Sequence, residues 1–382
     1  MGEGFRGEEA LQGGKRHGAY SKAVELLRPE ATLLSFSLGD RVLSFDREGR
    51  LYHYFRQGMT YKRALDGSLH LRHREGVRRR RRLAPEEALG VYREALALAE
   101  AHLRDAVRRR EVLRWTPEAL LDPGPYQRAY AWPISILPPD AYLAVVLQAT
   151  TGCTWNRCTF CSFYQDRPFQ KRSPEAFAEH VERVRELLGR GMLLRRGVFL
   201  ADGNALALSE PLLPLLEIVQ RAFPGEPVLG FLDLFSGLKK EASWWEGLRA
   251  LGLRRVYVGL ETGHAPLLAL LGKPGYPREV VALVGALKRA GVAVGVILLV
   301  GAGGKPFAQA HFRDSLALLA ELPLDRGDIV YLSPFQEDPS TPYAALGLEP
   351  LPEVEAELEA WAGALRRLGL RAGRYDIREF LY

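Results

Sequence analysis

Thr151-Gly-Cys-Thr-Trp-Asn-Arg-Cys-Thr-Phe-Cys161 contains all three cysteines of a 382-residue chain. Cys153, Cys158 and Cys161 fall within nine residues of one another. An odd, tightly clustered set argues against a disulfide framework and for ligation of a metal or cluster. A cubic 4Fe-4S cluster usually takes four protein thiolates, so three cysteines leave one iron open to a bidentate ligand. Two alternatives stand beside this reading. One is a set of inert buried thiols. The other is a structural zinc, which needs four closed ligands and would have to recruit a residue such as His180 from outside the loop.

Immediately before the loop, Tyr142 to Thr150 reads as a strand. From there short Val-, Leu- and Ile-rich runs alternate with amphipathic stretches. The further strands expected are Val198 to Ala201, Val228 to Leu234, Arg255 to Leu260, Ala293 to Val300 and Ile329 to Ser333, each followed by a helix. Apolar runs of this type suit parallel strands covered by helices, and right-handed crossovers curl six such units into an open barrel. The fold class expected is therefore α/β, a partial (β/α)6 barrel. Its active-site loops belong at the C-terminal ends of the strands, which is where the cysteines fall.

Outside the barrel, Leu33-Leu-Ser-Phe-Ser-Leu38, Arg41-Val-Leu-Ser-Phe45 and Leu51-Tyr-His-Tyr-Phe55 alternate in the manner of a small antiparallel sheet. A helix is expected from about Pro85 to Arg110. Five prolines between Asp122 and Asp140 mark a connector. The organisation expected is an N-terminal α+β accessory region over residues 1–140, the barrel over 141–335 and a helical extension over 336–382, with a helix from Pro352 to Leu368. Trp244-Trp245 are expected to pack a core edge.

Hydrophobic residues make up 47% of the chain and charged residues 26%, which excludes a disordered protein. No apolar run reaches membrane-spanning length, and Met1 to Lys15 lacks a signal peptide's apolar stretch, so the cytoplasm is the expected location. The net charge of +6 has its excess in Arg72, Arg74, Arg78 to Arg82 and Arg108 to Arg110. The run up to Arg82 reads as a solvated loop. It could serve RNA or a phosphate-bearing substrate, but a solubilising role is favoured, since charge runs are usually solvated faces.

The loop Cys-x4-Cys-x2-Cys, following a first strand and with Phe160 before its last cysteine, resembles the signature of the radical S-adenosylmethionine superfamily. The commonest pattern has three residues between the first two cysteines. The four found here, including Trp155-Asn156-Arg157, are similar to a poorly characterised subfamily. The resemblance runs from about Tyr142 to Pro334. Ala201-Asp-Gly-Asn-Ala205 looks like the family's glycine motif at the amino group of the bound methionine moiety, which implicates Asp202 and Gly203. Gly259-Leu-Glu-Thr-Gly263 is similar to a segment whose acidic side chain, here Glu261, reaches the cofactor's ribose. Leu271-Gly-Lys-Pro-Gly275 resembles a segment offering a cation, here Lys273, to the carboxylate. Ser236 and Gly301, with His311 beyond, complete the family-like positions. For His311 a structural role is the favoured one.

These residues also make chemical sense apart from the resemblance. An amino-acid head needs an acceptor, a cation and a close backbone approach, which Glu261 or Asp202, Lys273 and Gly203 can supply. The resemblance implies an oxygen-sensitive enzyme with one 4Fe-4S cluster and S-adenosylmethionine, which it would cleave reductively to a 5′-deoxyadenosyl radical that abstracts hydrogen from a substrate. A reductant such as flavodoxin or ferredoxin is implied as partner. A small molecule is favoured over RNA as substrate, and no catalytic acid or base is assigned. The competing reading is a non-catalytic zinc or iron-sulfur protein that binds RNA.

Overall fold

The computed structural model describes residues 24–26, 32–75 and 77–382. The expectation for Met1 to Lys15 lies outside the described residues. The chain begins with seven strands paired in sequence order, each antiparallel to the next: β1 (Val24–Leu26), β2 (Leu33–Leu38), β3 (Arg41–Asp46), β4 (Leu51–Arg56), β5 (Met59–Arg63), β6 (Leu69–Glu75) and β7 (Val77–Arg82). Period-2 patterning turns Leu34, Phe36, Leu43, Phe45, Tyr54, Tyr61 and Leu69 to one face. That face packs on Ala88, Tyr92, Ala95 and Ala99 of α1 (Pro85–His102), a separate hydrophobic core from that of the barrel. Pro85 at the first helical position and the Glu87 carboxylate accepting from Ala84 N (2.9 Å) start α1.

Three N-terminal expectations are corrected. The arginine run is a strand and not a loop, because β6 and β7 pair in register from His70↔Arg82 to Glu75↔Val77. The helix expected to Arg110 stops at His102, and α2 (Ala106–Leu113) starts afresh where the Asp105 side chain caps Val107 N and Arg108 N. The proline-rich connector contains a whole short helix, α4 (Gly124–Ala129), just after α3 (Pro117–Leu121). Prolines suit the first turns of both.

The barrel strands are β8 (Val145–Gln148), β11 (Val198–Ala201), β12 (Val228–Asp233), β13 (Leu253–Glu261), β14 (Ala293–Val300) and β15 (Ile329–Pro334). The short strands β9 (Thr150–Thr151) and β10 (Gln170–Lys171) pair across the base of the cysteine loop. Helices α5 (Pro174–Leu188), α6 (Leu212–Ala222), α7 (Leu234–Leu238), α8 (Ala242–Ala250), α9 (Ala265–Leu270), α10 (Val280–Arg289) and α11 (Gly304–Glu321) connect the strands. All neighbouring strands of this sheet are parallel. Residues buried on both faces of β8, β11 and β15 explain their largely apolar sequences. Helix α5 shows how each connector docks. Ser173 caps Ala176 N at 3.2 Å, and Phe177, Val181, Val184 and Leu188 form the stripe turned inward. Trp245 of α8 is fully buried against the same core.

The extension over 336–382 is more than helical. After α12 (Val354–Arg367), β16 (Ala372–Arg374) adds to β15 as a seventh parallel strand, giving the order β16-β15-β14-β13-β12-β11-β8. Three residues between helix and chain end carry too little pattern to read as a strand, so only pairing with β15 defines it. The sheet is open between β8 and β16, a partial barrel with an N-terminal antiparallel-sheet domain. The chain end ties the two together. Tyr382 O accepts from Leu65 N (3.0 Å), while its hydroxyl donates to Ala144 O and accepts from Val146 N, both at 3.0 Å. Buried Arg50 bridges the same junction, donating to Leu187 O at 2.7 Å and Leu188 O at 2.9 Å while paired with Asp46. Among the described residues no helix is long and apolar enough to cross a membrane.

Candidate functional site at the strand ends

Parallel strands place every strand-end loop on one rim. The cysteine loop leaves β9 through Gly152, whose φ of +73° is costly for any side chain. The loop then docks on the segment after α9. Trp155 Nε1 donates to Gly272 O (2.9 Å), Thr159 N to Leu271 O (3.0 Å) and Thr159 Oγ1 to Leu270 O (2.9 Å). Gly272 has φ +69°, and a Cβ there would stand 2.8 Å from Arg157 O, so the loop's close approach requires glycine. The three thiols are free and partly exposed. Burial pushes the Cys158 thiol up to about 12, against the pull of the Lys273 ammonium, and Cys161 up to about 11.

Lys273 follows directly from Gly272 and turns back to β13. Its Nζ is 2.5 Å from Glu261 Oε1 and donates to Gly259 O at 2.8 Å. Both side chains are about nine-tenths buried. Burial pulls the lysine's pKa down, but the Glu261 carboxylate outweighs it and leaves the ammonium firmly protonated. Glu261 reaches this position through a bulge, as the register with β14 slips between Gly259 and Glu261 and Glu261 adopts φ +63°. Bulges re-aim side chains, and a non-glycine residue held left-handed costs on the order of 1–3 kcal/mol. A Cβ at Gly259 would lie 2.6 Å from Glu261 Oε1 and 2.9 Å from Lys273 Nζ, so a side chain there would displace the pair.

At the neighbouring strand end, Ser236 Oγ donates to Asp233 Oδ2 (2.8 Å) and Ser236 N to Asp233 Oδ1 (2.6 Å). Asn204 completes this cluster. Its amide donates to Thr154 Oγ1 of the cysteine loop (2.7 Å) and to the Asp233 carboxylate, and its Oδ1 accepts from Asp233 N (2.9 Å). Sequence reading missed Thr154, Asn204 and Asp233. The only signal was that each sits beside a motif residue at a strand end.

The remaining expected residues also make contacts within the rim. Asp202 is 2% exposed. Its carboxylate accepts from Gly152 N (3.2 Å) and Gln148 Nε2 (3.3 Å), with Arg167 Nη1 at 3.5 Å. Burial raises its pKa to about 6 against the pull of Arg167. Asp202 therefore holds the base of the cysteine loop. Gly203 makes room for the Tyr164 ring, 2.5 Å from where a Cβ would be. Phe160 packs on Phe335, 6.3 Å between ring centres, within a cluster containing Leu267, Leu271 and Tyr343. Gly301, at φ +95°, turns the chain from β14 toward α11. His311 is in the body of α11. It is buried and bonded to Thr262 Oγ1 (2.7 Å) and Leu299 O (3.0 Å), a structural tie between strand ends. His180 accepts from Gln148 N (3.0 Å) and its Nδ1 lies 2.9 Å from Ala129 O. With both ring nitrogens engaged in the barrel wall, it is not a fourth ligand.

The donor set suits an iron-sulfur cluster. Three thiols share one loop, and among the described residues no three His, Cys, Asp or Glu side chains gather closely enough to hold a single ion. A cubane instead takes one thiolate at each of separate irons.

The Radical SAM superfamily model matches residues 147–319. No curated protein matches the sequence. Among solved structures, coproporphyrinogen III oxidase (HemN) from Escherichia coli is similar at 18% identity and TM-score 0.46, covering 67% of this chain and 57% of that one. Methylornithine synthase (PylB) is similar at 17% identity and TM-score 0.44, covering 74% and 75%. The cobalamin-dependent S-adenosylmethionine radical enzyme OxsB is similar at 15% identity and TM-score 0.40, and this chain covers 31% of its length. The match runs from β8 to α11 around the cysteine loop, so residues 147–319 form a radical SAM domain, the kind found in enzymes that use S-adenosylmethionine and a 4Fe-4S cluster.

Proposed function

We propose that Cys153, Cys158 and Cys161 hold a single 4Fe-4S cluster, with which the enzyme reduces S-adenosylmethionine by one electron to methionine and a 5′-deoxyadenosyl radical that abstracts hydrogen from a substrate. The observation that carries this reading is the convergence of the Glu261–Lys273 pair on the cysteine loop through Gly272. It sets a buried cation beside Cys158, which suits the carboxylate of an amino-acid head bound at an open iron, with an acceptor carboxylate next to it. In this reading Lys273 meets the cofactor's carboxylate, Glu261 its ribose, and the backbone at Gly203 its amino group. Phe160 would wall the pocket, and Asp202, Ser236 and Gly301 would shape its rim. The protein's contribution is positioning and exclusion of water and oxygen. A small acidic electron carrier such as flavodoxin or ferredoxin is the reductant, and a small molecule is the substrate.

The test is anaerobic reconstitution with iron and sulfide, reduction, and assay for 5′-deoxyadenosine. The nucleoside is expected from the intact enzyme and not from Cys158→Ala. A fully loaded cluster that yields none with a strong reductant would sink the proposal, and one zinc with no iron would replace it with the binding-protein reading.

A further inference from the structure

A second cleft lies at the opposite end of the barrel, where the antiparallel sheet meets the starts of the parallel strands. On one side it is lined by Tyr52 of β4 and Lys62 of β5, and on the other by Tyr142, Arg195 and Tyr382. Tyr142 precedes β8 and Arg195 precedes β11, so this is the N-terminal end of the strands, away from the cysteine loop. The cleft's charge is unbalanced. Among the described residues no carboxylate reaches Lys62 Nζ, whose partner is the Tyr52 ring at 5.5 Å. Arg195 lies over the Tyr382 ring at 4.8 Å, and its buried Nε has no hydrogen-bond partner.

The other lining charges are already engaged. Arg50 and Asp46 pair with each other, and Arg63 donates to Leu120 O (3.0 Å). From β6 and β7 come Arg72 and Arg80, directly opposite in register, an arrangement that is destabilising for like charges. Arg72 donates to Glu379 O (2.6 Å), and Glu379 is the carboxylate acting on Arg80. His53 faces Lys62 and Arg72 from β4. Burial and then Arg72, Arg195 and Arg80 lower the Lys62 pKa to about 8, so the ammonium is strained by its surroundings in the absence of an anion.

We propose that this cleft binds a phosphate group, as inorganic phosphate or a small phosphate monoester, between Lys62 and Arg195. Two cations with no carboxylate partner among the described residues call for a dianion, and an arginine fork beside a lysine point charge is a common way to hold one. The cleft is closed in by the sheet on one side and the barrel on the other, which admits one anionic group and not a polymer strand. The exposed arginines that a nucleic acid would follow have partners of their own. Arg81 pairs with both oxygens of Glu87, and Arg82 lies 3.6 Å from Asp66.

The experiment is calorimetric titration of the full-length protein with sodium phosphate, and separately with a single-stranded RNA oligomer. Saturable phosphate binding is expected, weakened roughly tenfold or more in Lys62→Gln and in Arg195→Gln, the loss expected for one charge-assisted hydrogen bond. Amine-reactive labelling of the wild-type protein gives a second reading that needs no variant, with phosphate expected to slow modification of Lys62 selectively. Absence of phosphate binding, binding unchanged in both variants, or labelling of Lys62 indifferent to phosphate overturns the proposal. So does RNA binding that phosphate does not compete away.

Discussion

Lys273 Nζ stands 2.5 Å from Glu261 Oε1, although the two come from different strand-end segments and Glu261 must adopt a left-handed backbone to meet it. Buried pairs of this type add little net stability over an apolar substitute, but breaking one leaves a naked charge.

Lys273→Met is therefore expected to cost about 3–5 kcal/mol in unfolding free energy. The double variant Lys273→Met with Glu261→Gln should recover a large part of that loss. Denaturant unfolding of the three proteins checks it, and a double variant as unstable as the single would refute the pairing argument.

Gly272→Ala places a methyl against the cysteine loop at a positive φ, where alanine is strained. We expect a lower iron content after reconstitution with an unchanged far-ultraviolet circular dichroism spectrum. Iron per chain, measured by colorimetric assay, is the readout.

His180 distinguishes a ligand from a wall residue. Burial depresses its pKa from 6.5 to about 3, so the unfolded chain binds the proton more tightly than the native one. Stability should fall as pH drops from about 6.5 toward about 3, and His180→Leu should lack that component of the dependence. The variant should still bind its full complement of iron. Loss of iron in a folded His180→Leu would restore the histidine as a ligand.

Asp202 has the opposite sign. Its pKa is raised to about 6 from 3.8, so the native state binds the proton more tightly, and wild-type stability should decline as pH rises from about 4 to about 6. A shift of that size is worth on the order of 3 kcal/mol. Asp202→Asn should remove this pH-dependent decline. It should also add a pH-independent cost from weakened contact with Arg167 and Gly152. Unfolding free energies of both proteins across that pH range check the difference.

The sequence by itself determined the architecture of the barrel, since strands buried on both faces must be largely apolar and their helices must be amphipathic. It also set the expectation for the metal chemistry, because three cysteines in one loop suit a 4Fe-4S cluster with one open iron. Glu261 and Lys273 were legible as motif residues, but their contact depends on a bulge and on a glycine turn that no local pattern encodes. Tertiary structure alone drew in Thr154, Asn204 and Asp233, since Asn204 contacts the other two across 50 and 29 residues of sequence. It gave Asp202 to the loop's base, because burial and not residue type decides what a carboxylate meets. It also turned the arginine run into a strand, as pairing with β6 satisfies its backbone whatever its side chains prefer. Local composition governs which elements form. Where distant strand ends and sheet edges come together, packing decides which side chains share a site.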